Sequence, residues 1–216
     1  MKTSKPFAFV LWVDDEQLPQ YLRNVFEPME GFAFLHWIKH KAEKDPPSLL
    51  KRVKRSKPKP HFHCVMSWKK PLDYPSVIDP RVRLWAATHS GYGECPWTYD
   101  RTHEGKVLNM STWLAYVVHN PDYMSFCERN LDKPETHKHV YKWDNIKSTD
   151  DSILDRQITN AAAYISQCAE KMNRVEQAKR LGSDGASSLA EKLLECKDYS
   201  QMLMVKAIHN AAYYEQ

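Results

Sequence analysis

From Pro60 to Trp68 the chain alternates in the way that a β-strand imposes on its side chains. Successive side chains of a strand point to opposite faces. Phe62, Cys64, Met66 and Trp68 therefore share one face, suited to burial against helices. His61 and His63 share the other. Two imidazoles on one face of a rigid strand form half of a metal site. Six Lys or Arg residues lie just upstream, between Lys51 and Lys59. A metal beside a basic, aromatic-rich surface points to chemistry on a phosphate. A histidine pair at this spacing is, by itself, more often structural, so the case depends on what the rest of the chain supplies.

The 216 residues suffice for one large domain or two small ones. The five cysteines are scattered, with no Cys-x-x-Cys spacing, which reads as reduced thiols in a cytoplasmic protein. No apolar run approaches the roughly 20 residues that span a bilayer, and no apolar core of a signal peptide is seen near Met1. Net charge is only +4 but unevenly placed. Residues 1–147 carry the positive excess, nine of the ten histidines and all seven tryptophans, whereas 148–216 are slightly acidic. A localised basic patch of this kind is a footprint for a polyanion.

Phe7 to Val13 and Phe32 to Ile38 read as strands flanking a helix over Gln17 to Phe26, which has apolar residues at helical spacing. Lys41 to Lys59 is polar, basic and punctuated by proline. Pro71 to Pro80 is read as holding a short helix, Arg81 to Thr88 as another strand, and 89–106 as a loop or hairpin. Asn109 to Val118 reads as a helix with Ser111 as its N-cap, ended by Asn120-Pro121. Beyond residue 148 the spacing of Ile158, Ala162, Ile165, Ala169, Met172 and Val175 predicts an amphipathic helix over Ile153 to Lys179. A loop at Gly182 to Ser188 and helices over Leu189 to Cys196 and Ser200 to Tyr214 follow. These changes place a boundary near Lys147, separating residues 1–147 from a helical segment, 148–216, whose small core favours packing against further copies.

The missing metal ligands are sought just after the second strand. His40 and Glu43 are three apart, so a turn there aims both at one ion, with Asp45 as the alternative carboxylate. Mixed imidazole and carboxylate donors suit Mn²⁺ better than Mg²⁺. Tyr116 is the candidate nucleophile, on a helix that carries His119 on the same face three residues later. A phenol with a reference pKa of ~10 needs a nearby cation to act at neutral pH.

Taken in order, these residues resemble the HUH endonucleases, named for two histidines separated by a bulky hydrophobic residue. More narrowly, they resemble the replication initiators of small rolling-circle plasmids of Gram-positive bacteria. Phe9-Val10-Leu11-Trp12 resembles the first strand, His40-x-x-Glu43 the element that completes the metal site, and Lys59-Pro60-His61-Phe62-His63 the metal-binding strand. Tyr116-Val117-Val118-His119 resembles the nucleophile motif, and Lys138-His139-Val140-Tyr141 the segment that closes the catalytic domain. The acidic ligand in that family is more usually Asp, which leaves Glu43 and Asp45 both open. One tyrosine stands in the motif, and Tyr123 is a weaker candidate. No Walker A loop is present in the sequence.

The resemblance implies an α+β fold, an antiparallel sheet with flanking helices of ferredoxin or RRM type, followed by a small all-α domain. Residues 1–147 would bind and nick the origin, and 148–216 would oligomerise, with a ring as one form. His40, Glu43, His61 and His63 would hold Mn²⁺ or Mg²⁺, with His119 and Asp45 behind them, and Tyr116 would attack the scissile phosphate. Lys51, Arg52, Lys54, Arg55, Lys57, Lys59, Arg81 and Arg83 are the candidate DNA contacts. The implied partners are plasmid origin DNA, double-stranded and as a single-stranded hairpin, a host helicase and a host polymerase. A noncatalytic DNA-binding regulator on the same scaffold, or a relaxase or viral initiator with the same chemistry, stands as the alternative.

Overall fold

The computed structural model describes residues 2–41, 60–89, 96–100, 103–130 and 139–194. Its centre is the strand read first, β3 (His61–Trp68). It pairs antiparallel with β1 (Phe7–Leu11) on one side and β2 (Phe32–His40) on the other. Two short strands, β4 (Trp97–Thr98) and β5 (Lys147–Ser148), extend the sheet outward, giving the order β4-β1-β3-β2-β5. The chain is thus α+β, with a five-stranded antiparallel sheet and flanking helices.

The alternation of β3 divides the two faces as its sequence predicts. Phe62, Cys64, Met66 and Trp68 join Phe7, Phe9 and Leu11 of β1 and Leu35 and Trp37 of β2 in one core. Two helices cover that face. Helix α1 (Gln17–Phe26) contributes Leu18, Leu22 and Phe26. Helix α2 (Tyr74–Thr88) contributes Tyr74, Ile78, Val82 and Trp85. Aromatic edges lock the layers together: Phe26 and Trp68 meet at 5.4 Å in a T-shape, and Tyr74 stacks on Phe7 at 5.0 Å.

Helix α2 corrects the expected helix to Pro80 followed by a strand over Arg81 to Thr88. One helix runs through Pro80 to Thr88. A strand would have set Val82, Leu84 and Ala86 on one face. Instead Tyr74, Ile78, Val82, Trp85 and Ala86 form a buried helical stripe, while Leu84 is 63% exposed. Burial of that stripe outweighs the single backbone hydrogen bond that Pro80 removes.

The opposite face of the sheet is covered by α3 (Met110–Val117) and by the start of α5 (Asp151–Leu194). Val65 and Phe34 pack with Val107, and Ile38 packs with Leu114, Val117, Ile146, Leu154 and Ala161. The cap of α3 is Asn109, not the predicted Ser111. Its side-chain oxygen accepts from the backbone N–H groups of Ser111 and Thr112 at 2.8 and 3.3 Å. A further helix, α4 (Pro121–Asn130), begins where the reading had only a helix stop. Proline fits a first helical position, which needs no N–H donor. Helix α5 runs unbroken through the predicted loop at Gly182 to Ser188. Two glycines cost only about 1 kcal/mol each relative to alanine in a helix. The predicted helix over Ser200 to Tyr214 lies outside the described residues.

By internal contacts the chain forms two units. The first comprises Met1–Asn120 with Thr136–Ala162, and the second Pro121–Glu135 with Ala163–Gln216. Residues 148–162 therefore group with the sheet, beyond the boundary expected at Lys147. The reason is local: β5 pairs with β2, and Leu154 and Ala161 are buried in the first unit's core. In the second unit, α4 and the later part of α5 supply Tyr123, Tyr164 and Cys168, with the two tyrosine rings 6.1 Å apart. Among the described residues no helix is long and apolar enough to cross a membrane.

Candidate metal centre

Strand register, not a turn, brings the histidines together. His40 is the last residue of β2 and the direct cross-strand partner of His61, while Ile38 is opposite His63. Residues paired across an antiparallel ladder lie on the same face with Cβ atoms about 5 Å apart. His40, His61 and His63 therefore converge on the α3 side of the sheet. A nitrogen of each lies within 4.8 Å of the other two. The expectation placed His40 in a turn beyond a strand ending at Ile38; it instead lies within the ladder, only 2% exposed.

The donor chemistry fits a divalent cation. His61 Nε2 and His63 Nε2 face each other at 3.1 Å. Two nitrogens ligating one ion at about 2.1 Å sit roughly 3 Å apart. His40 is held from behind: its Nε2–H donates to the carbonyl of Val117 at 2.6 Å, which leaves Nδ1 as its ligand atom. A metal-binding imidazole characteristically donates its other N–H in this way, which fixes its tautomer and orientation. Tyr141 stacks on the His40 ring, at 4.4 Å and 4°, and its hydroxyl accepts the backbone N–H of Lys41 at 2.9 Å. Three neutral imidazoles would leave a bound dication its full charge for a phosphate.

The C-terminal turn of α3 supplies the remaining groups. Asn120 N–H donates to Ala115 O at 3.1 Å and His119 N–H to Tyr116 O at 2.9 Å. That pair of bonds is a Schellman ending, whose left-handed position usually holds glycine. Here it holds His119, at φ 49°. The tight turn sends the imidazole inward, 3% exposed, with its ring 4.6 Å from that of His40. Its Nδ1–H donates to the carbonyl of His139 at 2.7 Å. A non-glycine residue in this conformation costs about 1 kcal/mol or more, a strain typical of functional sites. Tyr116, half-buried on the same turn, has its ring 6.1 Å from those of His63 and His119.

The structure thus gathers His40, His61, His63, Tyr116 and His119 in one place. Glu43, Asp45, Lys51, Arg52, Lys54, Arg55, Lys57 and Lys59 lie outside the described residues. Arg81 and Arg83 lie on α2, which covers the sheet face opposite the triad. Arg81 donates to Val77 O at 3.0 Å with its guanidinium 6.0 Å from the Phe26 ring, and Arg83 pairs with Asp79 at 2.7 Å. Two groups at the site had no individual role in the sequence reading: Tyr141 under His40, and Trp12, whose ring lies 5.0 Å from that of His61. The alternation of β1 carries the signal for Trp12, since it falls on the histidine face. No protein-family model matches the chain, and no curated protein matches it.

Proposed function

We propose that this protein is a metal-dependent DNA nickase and strand transferase that initiates plasmid rolling-circle replication. The observation that carries the reading is the three-histidine cluster with Tyr116 beside it on the neighbouring helix turn. The order of elements, βαββαβ with sheet order β4-β1-β3-β2 before β5 is added, is that of a ferredoxin-like split βαβ unit and supports the HUH assignment.

His40, His61 and His63 would hold Mn²⁺ or Mg²⁺, with Glu43 or Asp45 as the acidic ligand. When bound, the cation supplies Lewis-acid polarisation of the scissile phosphate. Tyr116 loses its phenolic proton and attacks phosphorus. One O–P bond forms to the tyrosine as the bond to the 3′ oxygen breaks, and that oxygen takes up a proton. The products are a 5′-phosphotyrosyl link and a free 3′-OH primer. One phosphoester replaces another, so no ATP is needed, and reversal rejoins the strand after synthesis. Origin DNA, presented as a single-stranded hairpin, is the substrate. A host helicase and polymerase supply unwinding and synthesis, and the helical second unit is assigned to self-association, with a ring as one form.

The test is incubation with a single-stranded origin oligonucleotide and Mn²⁺, followed by mass spectrometry of the protein–DNA adduct. An adduct on Tyr116, lost in Tyr116→Phe with DNA binding retained, is expected. Full-rate nicking by Tyr116→Phe or in excess EDTA would overturn the assignment.

A further inference from the structure

Three strands carry the histidine face in rows set by their register. Ala8, Val65 and His36 form one row across β1, β3 and β2, and Val10, His63 and Ile38 form the next. The third row has His61 and His40 on β3 and β2. Continuing β1 by its period of two brings Trp12 into that row, and its ring indeed lies 5.0 Å from that of His61. Helices α3 and α5 pack on Ala8, Val65 and His36 of the first row and on His63 and Ile38 of the second. Trp12 is 41% exposed, although Leu11 and Val13 on either side of it are fully buried on the other face. Its exposure is therefore a property of the face and not of a fraying strand end.

The indole is also fixed in place. Its N–H donates to Thr98 Oγ1 across the sheet at 2.9 Å, and the backbone N–H donates to Pro96 O at 2.8 Å. A large aromatic surface is thus anchored by two hydrogen bonds, partly open to solvent, and beside an imidazole of the candidate triad. Burial does not account for such a residue, whereas the stacking of a planar ligand does. An unpaired nucleobase next to a metal-bound phosphate has the required shape, and base–aromatic stacking contributes strongly and with little sequence preference to single-strand binding.

We propose that Trp12 is a stacking platform for a nucleobase of the single-stranded DNA adjoining the scissile phosphate. This inference rests on the nickase reading for its substrate. It makes Trp12 a positioning residue that sets the approach of the strand to the triad.

The test is equilibrium binding by fluorescence anisotropy in MnCl₂, in a Tyr116→Phe background so that no chemistry intervenes. Two probes are compared, a thymidine oligonucleotide of about 15 nucleotides and an abasic deoxyribose-phosphate strand of equal length and charge. Trp12→Ala should weaken binding of the thymidine strand about 10-fold and leave the abasic strand unchanged, and Trp12→Phe should restore most of the loss. Equal loss on both probes, loss on neither, or a fall in Mn²⁺ affinity that accounts for the effect would overturn it. A protein that shows the base-dependent loss yet never forms an adduct with Tyr116 present would keep Trp12 as a base-stacking residue and lose the nickase. An adduct without the base-dependent loss would do the reverse.

Discussion

His61 and His63 need no loop to find each other: their spacing along one strand puts both rings on one face. His40 reaches them by pairing across the ladder, and Val117 and Tyr141 then fix its ring. Because the proposed ligands sit on a paired sheet, replacing one should cost metal before it costs the fold. His61→Ala or His63→Ala should weaken Mn²⁺ binding about 100-fold, with an unfolding midpoint in EDTA close to that of the parent. Isothermal titration and a thermal melt check the two halves, and unchanged metal affinity in both variants would remove the triad from the site. Within the proposed reaction, residue-scale burial favours Tyr116 over Tyr123 as the nucleophile. Tyr123 is 6% exposed, and burial, with its bond to Cys127 adding to the effect, pushes its hydroxyl well above the usual phenol range. Tyr116 is half-buried beside the histidines.

Among the elements, β3 and α1 match their sequence boundaries because each has a single apolar period and clear neighbours. Helix α2 departs from the expected helix followed by a strand because the stripe from Tyr74 to Ala86 is buried through Pro80. Its burial is a tertiary fact, available only once the sheet is there to receive it. The turn at Gly105 combines a local requirement, a left-handed backbone, with a tertiary one, close approach to β1. Gly105 has φ 70°, donates its N–H to Asp100 O at 2.8 Å and accepts from Ala8 N–H at 2.8 Å. A Cβ at that position would collide with the ring of Phe7. Gly105→Ala should therefore destabilise by about 3 kcal/mol, from left-handed strain and from overpacking against a buried ring. Urea unfolding measures this, and a loss under 1 kcal/mol would show that Phe7 can move aside.

Across the whole molecule, the first unit draws on distant parts of the chain, and His36 is where three of them meet. It is fully buried on β2, with Nδ1 2.8 Å from Ser148 Oγ of β5, and its Nε2–H donates to Gln157 Oε1 of α5 at 3.0 Å. Burial lowers its pKa to about 4, against the opposing pull of Gln157, Asp150 and Asp151. The unfolded chain takes up a proton near pH 6.5 that the folded protein does not accept until near pH 4. Stability is therefore whole above the higher value and falls as pH drops through this window, by at most about 3 kcal/mol. Urea unfolding at pH 7 and pH 4.5, in EDTA to remove metal linkage, should show the loss in the parent and a flatter profile in His36→Gln. Equal slopes would assign the dependence to other groups.

What the chain determines by itself is what depends on near neighbours: the two faces of β3, the helix over Gln17 to Phe26, and the pairing of His61 with His63. The motif order also brought His40, Tyr116 and His119 forward as candidates. Only the tertiary structure decided the register that joins His40 to His61, the left-handed turn that points His119 inward, and the placing of Arg81 and Arg83 behind the opposite face. It also decided that residues 148–162 complete the first unit. The physical reason is that alternation and helical period are fixed within a few bonds. Register across a ladder, by contrast, is chosen by which faces are buried, and that choice is made by residues far apart in the sequence.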